Sequence, residues 1–343
     1  MTDVKKDNRN HLIEVYRCIL SFLVVLTHCG LQMEAPGRRW IWSMIETSMP
    51  LFFMISGYFL YSPDESRVLK GLKKRAVKMA KLTAGTIGAY YVILFIMNYL
   101  THDMETYLNN YCTPKVFFNM IFVNIPEICQ PMWFLISMTY ALAFMYLAAK
   151  KGLLDILCRC VPVLLAVNLL LSGNFNRFLP VQFDGFYARF FLFFAMPFLL
   201  MGYMVHRHQE KILSSVSPGK VICIILLTEM ISGIEAELIG VNPLLLFMIP
   251  SAFFTLILAL HFPQIGKGSI MEKIGTRNSL HIYLIHRILI LGIWKLPIYG
   301  YLPDDLIRIL SAVIIFTAAV ILSESYLYVT ERMKGRRKER IRG

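Results

Sequence analysis

The 343-residue chain is strongly apolar and strongly basic. Hydrophobic residues make up 57% of it, the mean hydropathy is +0.57 and the formal net charge is +13. Soluble domains are about 45–50% apolar, so this composition excludes an ordinary soluble protein. Apolar segments recur along the chain without a polar block long enough to fold separately. We predict an all-α polytopic membrane bundle, in one domain of residues 1–343 with short basic tails at 1–11 and 331–343.

About ten segments reach the length needed to cross a bilayer as helices. Segment 115–126 is apolar but too short, so we predict an interfacial or re-entrant element there. Pro162, Pro197 and Pro250 fall inside predicted spans, where neighbouring helices are expected to satisfy the carbonyls that proline frees. The predicted spans are 12–32, 40–61, 82–101, 132–149, 154–172, 188–206, 220–239, 242–261, 279–296 and 305–330.

The distribution of Lys and Arg predicts the orientation of these spans. If both termini are cytoplasmic, the inner segments hold 25 of these residues and the outer loops hold 7. The positive charge then reflects topology and attraction to anionic lipids, and it gives no reason to predict a nucleic-acid partner. The basic start and the apolar run after it lack a small-residue cleavage site. We therefore interpret residues 12–32 as a retained first span.

A polar stripe runs along this first span. Arg17 and His28 are eleven residues apart, which places them on one helix face and about 16 Å apart along the axis. Glu14 and Ser21 fall on the same face. Ionisable groups at membrane depth usually face a protein interior or a wet cavity and mark function, although side chains satisfied within a bundle are the alternative. We interpret the stripe as one wall of a functional site.

The second predicted span contains the pair Ser56-Gly57. Small residues in a bulky helix permit either close helix packing or access for a ligand, and packing is the simpler role for Gly57. A basic segment follows at 62–81, which we predict to be a cytoplasmic loop. Its cations suit a phosphate-bearing ligand or lipid headgroups equally well. The candidate ligand-binding cations are Lys73, Lys74, Arg75 and Lys78.

Further candidate residues lie in the later spans. His281 and His286 are five residues apart in the ninth span, so they do not share a helix face well and at least one is expected to be structural. Glu229 is a buried ionisable group in the seventh span. Seven cysteines show no metal-ligand spacing, so no metal site is predicted. Cys112 and Cys129 both fall in a predicted outer segment, and the sequence leaves their pairing open.

At these residues the chain resembles the membrane acyltransferase 3 family, and it looks like a short, stand-alone member. The matching motifs follow the family's order over nearly the whole chain. They are Glu14-x-x-Arg17 with His28, the segment Pro50–Tyr58, the basic Lys73-Lys74-Arg75, Trp133-Phe-Leu, and the segment from Gly275 to His286.

The resemblance implies an integral membrane protein of the bacterial plasma membrane that acylates surface polysaccharides. It implies acetyl-CoA as the acyl donor, taken from the cytoplasm, and a hydroxyl of an extracytoplasmic or lipid-linked glycan as the acceptor. By the match, the essential roles fall on Arg17 and His28. The chain departs from the family in two places: no Pro follows its basic segment, and Ile136-Ser-Met-Thr replaces a Ser-x-x-Glu found in larger members.

A different class of protein is the main alternative. A membrane transporter or a ligand-sensing domain for a small polar molecule, such as an amino acid, would also use a buried Arg17, His28 and Glu229. Transporters often show internal repeats with broken helices in matching halves, and this chain shows no such symmetry. We therefore favour acyl transfer.

Overall fold

The computed structural model describes residues 9–30, 37–176, 178–183, 185–240, 242–293 and 304–342. Within these ranges the chain is helical and has no strand, which confirms the all-α fold class. Four described helices are long and apolar enough to cross a membrane, and shorter apolar helices accompany them. The number of spans and the cytoplasmic position of the termini stay predictions. The four long apolar stretches are His11–His28, Glu65–Leu100, Gln130–Lys150 and Leu306–Lys334.

Sixteen α-helices are described, and they form two compact units. The first unit comprises Met1–Met33 and Ala259–Gly343, and the second comprises Glu34–Leu258. In chain order the helices are α1 (His11–His28), α2 (Arg39–Glu46), α3 (Ser48–Tyr58), α4 (Glu65–Leu100), α5 (Met104–Tyr111), α6 (Pro114–Phe118), α7 (Trp133–Lys150), α8 (Leu154–Arg159), α9 (Val161–Leu171), α10 (Ala195–Arg207), α11 (Gln209–Ser215), α12 (Pro218–Ile239), α13 (Met248–His261), α14 (Ile270–Arg277), α15 (Ser279–Ile293) and α16 (Asp304–Arg342).

The prediction of a loop is wrong for residues 65–81, because they are helical, whereas the cytoplasmic position of the segment stays a prediction. Asp64 caps α4 by accepting a hydrogen bond from the Ser66 amide, and the helix then continues without a break into the predicted span 82–101. Lys, Arg, Leu, Ala and Met dominate the basic segment, and all of them favour helix. No proline follows to stop the helix. The basic residues therefore extend the third predicted span as a single 36-residue helix.

Proline acts differently from the prediction. Pro162, Pro197 and Pro250 each stand in the first turn of a helix, namely α9, α10 and α13. Proline in this turn removes no intrahelical hydrogen bond, because the first amides have no partner within the helix. These residues start helices instead of interrupting them. The fifth predicted span is accordingly divided into α8 and α9, and α10 and α13 are shorter than the spans at 188–206 and 242–261.

The remaining predicted segments also differ in detail. The second span is divided at Thr47 into α2 and α3. Segment 115–126 contains α6 and a π-helix at Asn119–Val123, which ends where Asn124 adopts the left-handed conformation with φ 67°. The last span continues as α16 through the predicted basic tail. No disulfide joins Cys112 to Cys129.

Glycines allow α3 and α10 to pack backbone against backbone within the second unit. A Cβ on Gly57 would lie 1.9 Å from the Leu199 carbonyl oxygen, and one on Gly202 would lie 1.9 Å from the Met54 carbonyl oxygen. Only glycine permits both approaches. The structure supports the packing interpretation of Gly57.

Candidate functional site

The polar stripe begins in the first turn of α1. Asn10 caps the helix, since its side chain accepts a hydrogen bond from the Ile13 amide. One turn later the Arg17 Nη1 lies 3.1 and 3.2 Å from the two carboxylate oxygens of Glu14. Glu14 is buried and Arg17 is half-buried. The ion pair therefore orients the guanidinium on the face that carries His28. Ser21 Oγ donates to the Arg17 carbonyl at 2.7 Å, so its hydroxyl is engaged by the backbone.

Close packing of α14 against α1 holds the start of this stripe. A Cβ on Gly275 would lie 1.8 Å from the Glu14 carbonyl oxygen, so no larger residue fits there. Outside the predicted spans, His11 Nδ1 and Glu272 Oε1 are 2.6 Å apart, and the Gly268 amide donates to the second oxygen of Glu272. These hydrogen bonds lower the pKa of Glu272 below its ordinary value, His11 being the largest cause.

His28 meets a second histidine at the other end of the stripe. Its ring stacks on that of His286 in α15, with the centroids 5.3 Å apart and the planes inclined by 28°. His286 is fully buried, and its Nδ1 lies 2.7 Å from the Tyr283 carbonyl oxygen. A carbonyl oxygen is only an acceptor, so Nδ1 carries a hydrogen, and in the neutral ring Nε2 then holds the lone pair. That Nε2 has no hydrogen-bond partner in the described structure.

The histidine pair lies beside an apolar core and a cation. The packing of α1 with α15 and α16 is built from buried side chains that include Val25, Cys29 and Ile282. Arg287 follows His286 and lies within electrostatic range of both Cys29 and His286. His281 belongs to a different environment, because its ring lies 5.5 Å from that of Tyr326.

The second unit contains the other predicted site residues. Lys73, Lys74 and Lys78 are exposed on the basic half of α4. Arg75 is exposed too, and its Nη2 donates to the Phe59 carbonyl at 2.6 Å, which connects α4 to the end of α3. Ser56 is half-buried within α3.

Trp133 and Glu229 lie in separate environments of this unit. The Trp133 ring contacts those of Phe53 and Phe194, at centroid distances of 6.2 and 5.4 Å, and the Arg189 guanidinium lies 5.3 Å from its centroid. Glu229 accepts a hydrogen bond from the Ser251 hydroxyl, and its second oxygen is buried without a partner among the described residues.

A family model described as an acyltransferase domain, that of acyltransferase 3, matches residues 10–325. The chain belongs to the acyltransferase 3 family. Searches of curated proteins and of solved structures found no match. Membership of the acyltransferase 3 family makes the chain an acyltransferase, and the apolar helices make it a membrane protein.

The predicted site residues of this acyltransferase are divided between the two units. The first unit joins Glu14 to Arg17 and His28 to His286, so it holds a carboxylate-oriented cation and two imidazoles. The second unit holds the basic half of α4, Ser56, Trp133 and Glu229. An imidazole lone pair accepts a proton, and guanidinium groups bind phosphate or stabilise an oxyanion, which are the functions that acyl transfer needs.

The structure also brings together Glu46 and Arg189, which were not among the predicted site residues. Glu46 in α2 is 8% exposed, and the Arg189 guanidinium lies within its electrostatic range. Asn124 and Ser137 both donate to the Arg189 carbonyl, at 2.9 and 3.1 Å, and thereby hold its backbone. Glu46 was visible as an acidic residue within a predicted span. Its relation to Arg189, 143 positions later, has no signal in the sequence.

Proposed function

We propose that this acyltransferase moves an acetyl or other short acyl group from cytoplasmic acyl-CoA to a hydroxyl of an extracytoplasmic surface glycan or a related lipid-linked acceptor. The observation that supports it best is the combination, on one face of α1, of the Glu14-oriented Arg17 with the His28–His286 pair. The family match supports acyl transfer as the reaction class.

His28 is the proposed general base. Its imidazole accepts the proton of the acceptor hydroxyl while the hydroxyl oxygen attacks the thioester carbonyl carbon. The tetrahedral intermediate collapses, the carbon–sulfur bond breaks, and the coenzyme A thiolate takes the proton from the imidazolium. Arg17 cannot act as a base at any accessible pH, so its role is electrostatic: it binds donor phosphate or stabilises the oxyanion.

The order of these residues along α1 suits a reaction that crosses the membrane. With the N-terminus inside, as the Lys and Arg distribution predicts, Arg17 is nearer the cytoplasm and His28 nearer the outside. Their axial separation of about 16 Å is roughly half the hydrocarbon thickness. A donor that enters from the cytoplasm and an acceptor that arrives from outside would each meet the appropriate end.

The test is thiol release from acetyl-CoA by the purified full-length protein in nanodiscs, with a panel of glycan acceptors. We expect His28→Ala to abolish acceptor-dependent release and Arg17→Lys to reduce it at least tenfold. His281→Ala is the matched control, because that histidine lies outside the pair and is expected to retain the wild-type rate. A full rate in His28→Ala would refute the assignment of the base. If the wild-type protein neither binds coenzyme A nor releases thiol, the transporter or sensor alternative is favoured.

A further inference from the structure

Two neighbouring cavities open in the second unit, where several helices end together. One measures about 380 Å³ and the other about 550 Å³. They share Tyr61, Pro63 and Arg207 as lining residues, so we treat them as one cleft. The segments around it are 61–69, 149–155 and 203–211. These three segments lie next to the Lys- and Arg-rich regions that the positive-inside rule assigns to the cytoplasm. The cleft is therefore expected to face the cytoplasm.

Aromatic rings form one wall of the cleft. The Tyr61 ring lies 5.3 Å from that of Tyr203 and 5.2 Å from that of His206. His206 in turn stacks on Tyr58 at 4.3 Å, and its Nδ1 donates to the Tyr58 carbonyl at 2.7 Å. The Tyr58 hydroxyl donates to Gln209 Oε1 at 2.6 Å. These contacts hold the half-buried Tyr61 and His206 rings in place, so these two rings can meet a planar ligand without reorganisation.

Two cations line the same cleft, and two more lie beside it on α4. Arg207 and Lys211 line it, and Arg207 is held by an ion pair with Asp155. Ser66 of α4 also lines it, and Lys70 and Lys73 follow at i+4 and i+7 from Ser66, on the same helix face. Both lysines are exposed.

Besides Asp155, two carboxylates line the cleft, and both lie in the first turn of a helix. Glu65 and Glu210 occupy the first turns of α4 and α11. Negative charge in a first turn interacts favourably with the N-terminal end of the helix dipole. With Asp155 the lining holds three carboxylates and two cations, so the excess positive charge that a phosphate needs comes from Lys70 and Lys73 on α4.

We propose that this cleft binds a phosphorylated adenine nucleotide, which is the nucleotide end of the acyl-CoA donor. The proposal rests on the function proposed above. Adenine stacks against the aromatic wall, and the phosphates interact with Arg207, Lys211 and the basic face of α4. A phospholipid headgroup shares the phosphate chemistry but has no planar base, so it would not use the rings. The basic half of α4 thus continues a site that begins in the cleft.

The direct test is binding of adenosine 3′,5′-bisphosphate to the full-length protein in nanodiscs of neutral lipid. We expect Tyr61→Ala and Arg207→Gln each to weaken binding at least tenfold. Arg207→Lys keeps the charge and is expected to lose less. The matched control is Tyr99→Ala, an exposed tyrosine at the far end of α4. Equal binding by the cleft variants and the wild type would overturn the proposal, and so would an absence of bisphosphate binding by the wild type.

A comparison of two acyl donors tests this proposal separately from the proposed function. S-acetyl-pantetheine carries the thioester without the nucleotide. The cleft variants should raise KM for acetyl-CoA at least tenfold and leave the rate with S-acetyl-pantetheine unchanged. Bisphosphate binding that depends on Tyr61, without thiol release from any donor, would support the cleft as a nucleotide site and count against acyl-CoA as the acyl donor. If anionic lipid vesicles inhibit acetyl-CoA turnover and the bisphosphate does not, the cleft would be assigned to lipid headgroups. That result would overturn the proposal of a nucleotide site.

Discussion

At the scale of single residues, the pairing of His28 with His286 distinguishes this site from a lone intramembrane histidine. The Nδ1–H of the buried His286 ring is engaged by the Tyr283 carbonyl, and its Nε2 is buried without a partner among the described residues. In its neutral form this ring is therefore the Nδ1–H tautomer, and it lies directly against the ring proposed to act as the base. We therefore expect His286 to act as a positioning residue for His28.

Substitution of His286 tests that role. His286→Asn keeps a donor near the Tyr283 carbonyl but removes the ring and Nε2, so we expect kcat to fall roughly ten- to hundredfold with little change in KM for acetyl-CoA. His286→Phe restores a ring and should recover part of the rate if stacking is what orients His28. A changed pH–rate profile in His286→Asn would show that the pair titrates together. An unchanged rate and profile in both variants would contradict the positioning role.

The His11–Glu272 pair predicts a response to acid. The pKa of Glu272 is lowered in the folded protein, mainly by the hydrogen bond with His11. Its contribution to stability is present above the ordinary glutamate pKa, about 4.3, and is lost as the pH falls through the lower folded value. We expect the melting temperature of the wild type to fall in this acidic range more steeply than that of Glu272→Gln. Parallel melting curves for the two proteins between pH 6 and 3 would argue against the coupling.

At the scale of elements, glycine placement decides which helices approach closely. Gly57→Ala and Gly202→Ala would each drive a methyl group into a backbone carbonyl of the opposing helix, so α3 and α10 must separate. Overpacking of this kind typically costs about 1–3 kcal/mol, and here the obstacle is backbone, which yields poorly. Gly85→Ala in α4 is the control, since nothing lies within 4 Å of its added Cβ and alanine favours helix.

Thermal melting in detergent measures the stability of the two interface variants and of the control. The two interface variants should melt well below the wild type, and Gly85→Ala should melt at or slightly above it. Equal melting temperatures for all three variants would mean that α3 and α10 can separate without loss of free energy of unfolding.

The elements also show where prediction from sequence succeeds and where it stops. The stripe on α1 could be predicted, because helix periodicity alone aligns Glu14, Arg17 and His28. The partner of His28 could not, because His286 is 258 positions away and only packing brings the rings together. Arg189 was not among the candidate residues, since nothing local shows that it lies over Trp133.

Errors at this scale share a physical origin. A basic segment is predicted as a loop when its charge is given more weight than its helix propensity. Residues 65–81 contain strong helix formers, and Asp64 caps the start of their helix. A proline in an apolar segment is predicted to interrupt a helix when the residue at which that helix begins is unknown. Helix starts such as those of α9, α10 and α13 depend on where the preceding chain turns, which hydropathy does not report.

At the scale of the whole molecule, the orientation in the membrane is the prediction with the widest consequence. Both termini are expected in the cytoplasm, because the inner segments then hold most of the Lys and Arg residues. Green fluorescent protein fused to the C-terminus should fluoresce, and alkaline phosphatase fused after Asn109 should be active outside when the chain is expressed in a bacterium. The reverse pattern would invert the assignment of donor and acceptor sides along α1.

The continuous α4 has a mechanical consequence. At 1.5 Å per residue its 36 residues measure about 54 Å, whereas the hydrocarbon layer is about 30 Å thick. If α4 crosses the bilayer along its normal, roughly 24 Å of it extends beyond the lipid tails. Because the helix is continuous, its lysines are then held at a fixed height and orientation relative to the membrane. Inserting one residue between Lys78 and Thr83 would turn that array by about 100° and lift it by about 1.5 Å, while changing none of its charges.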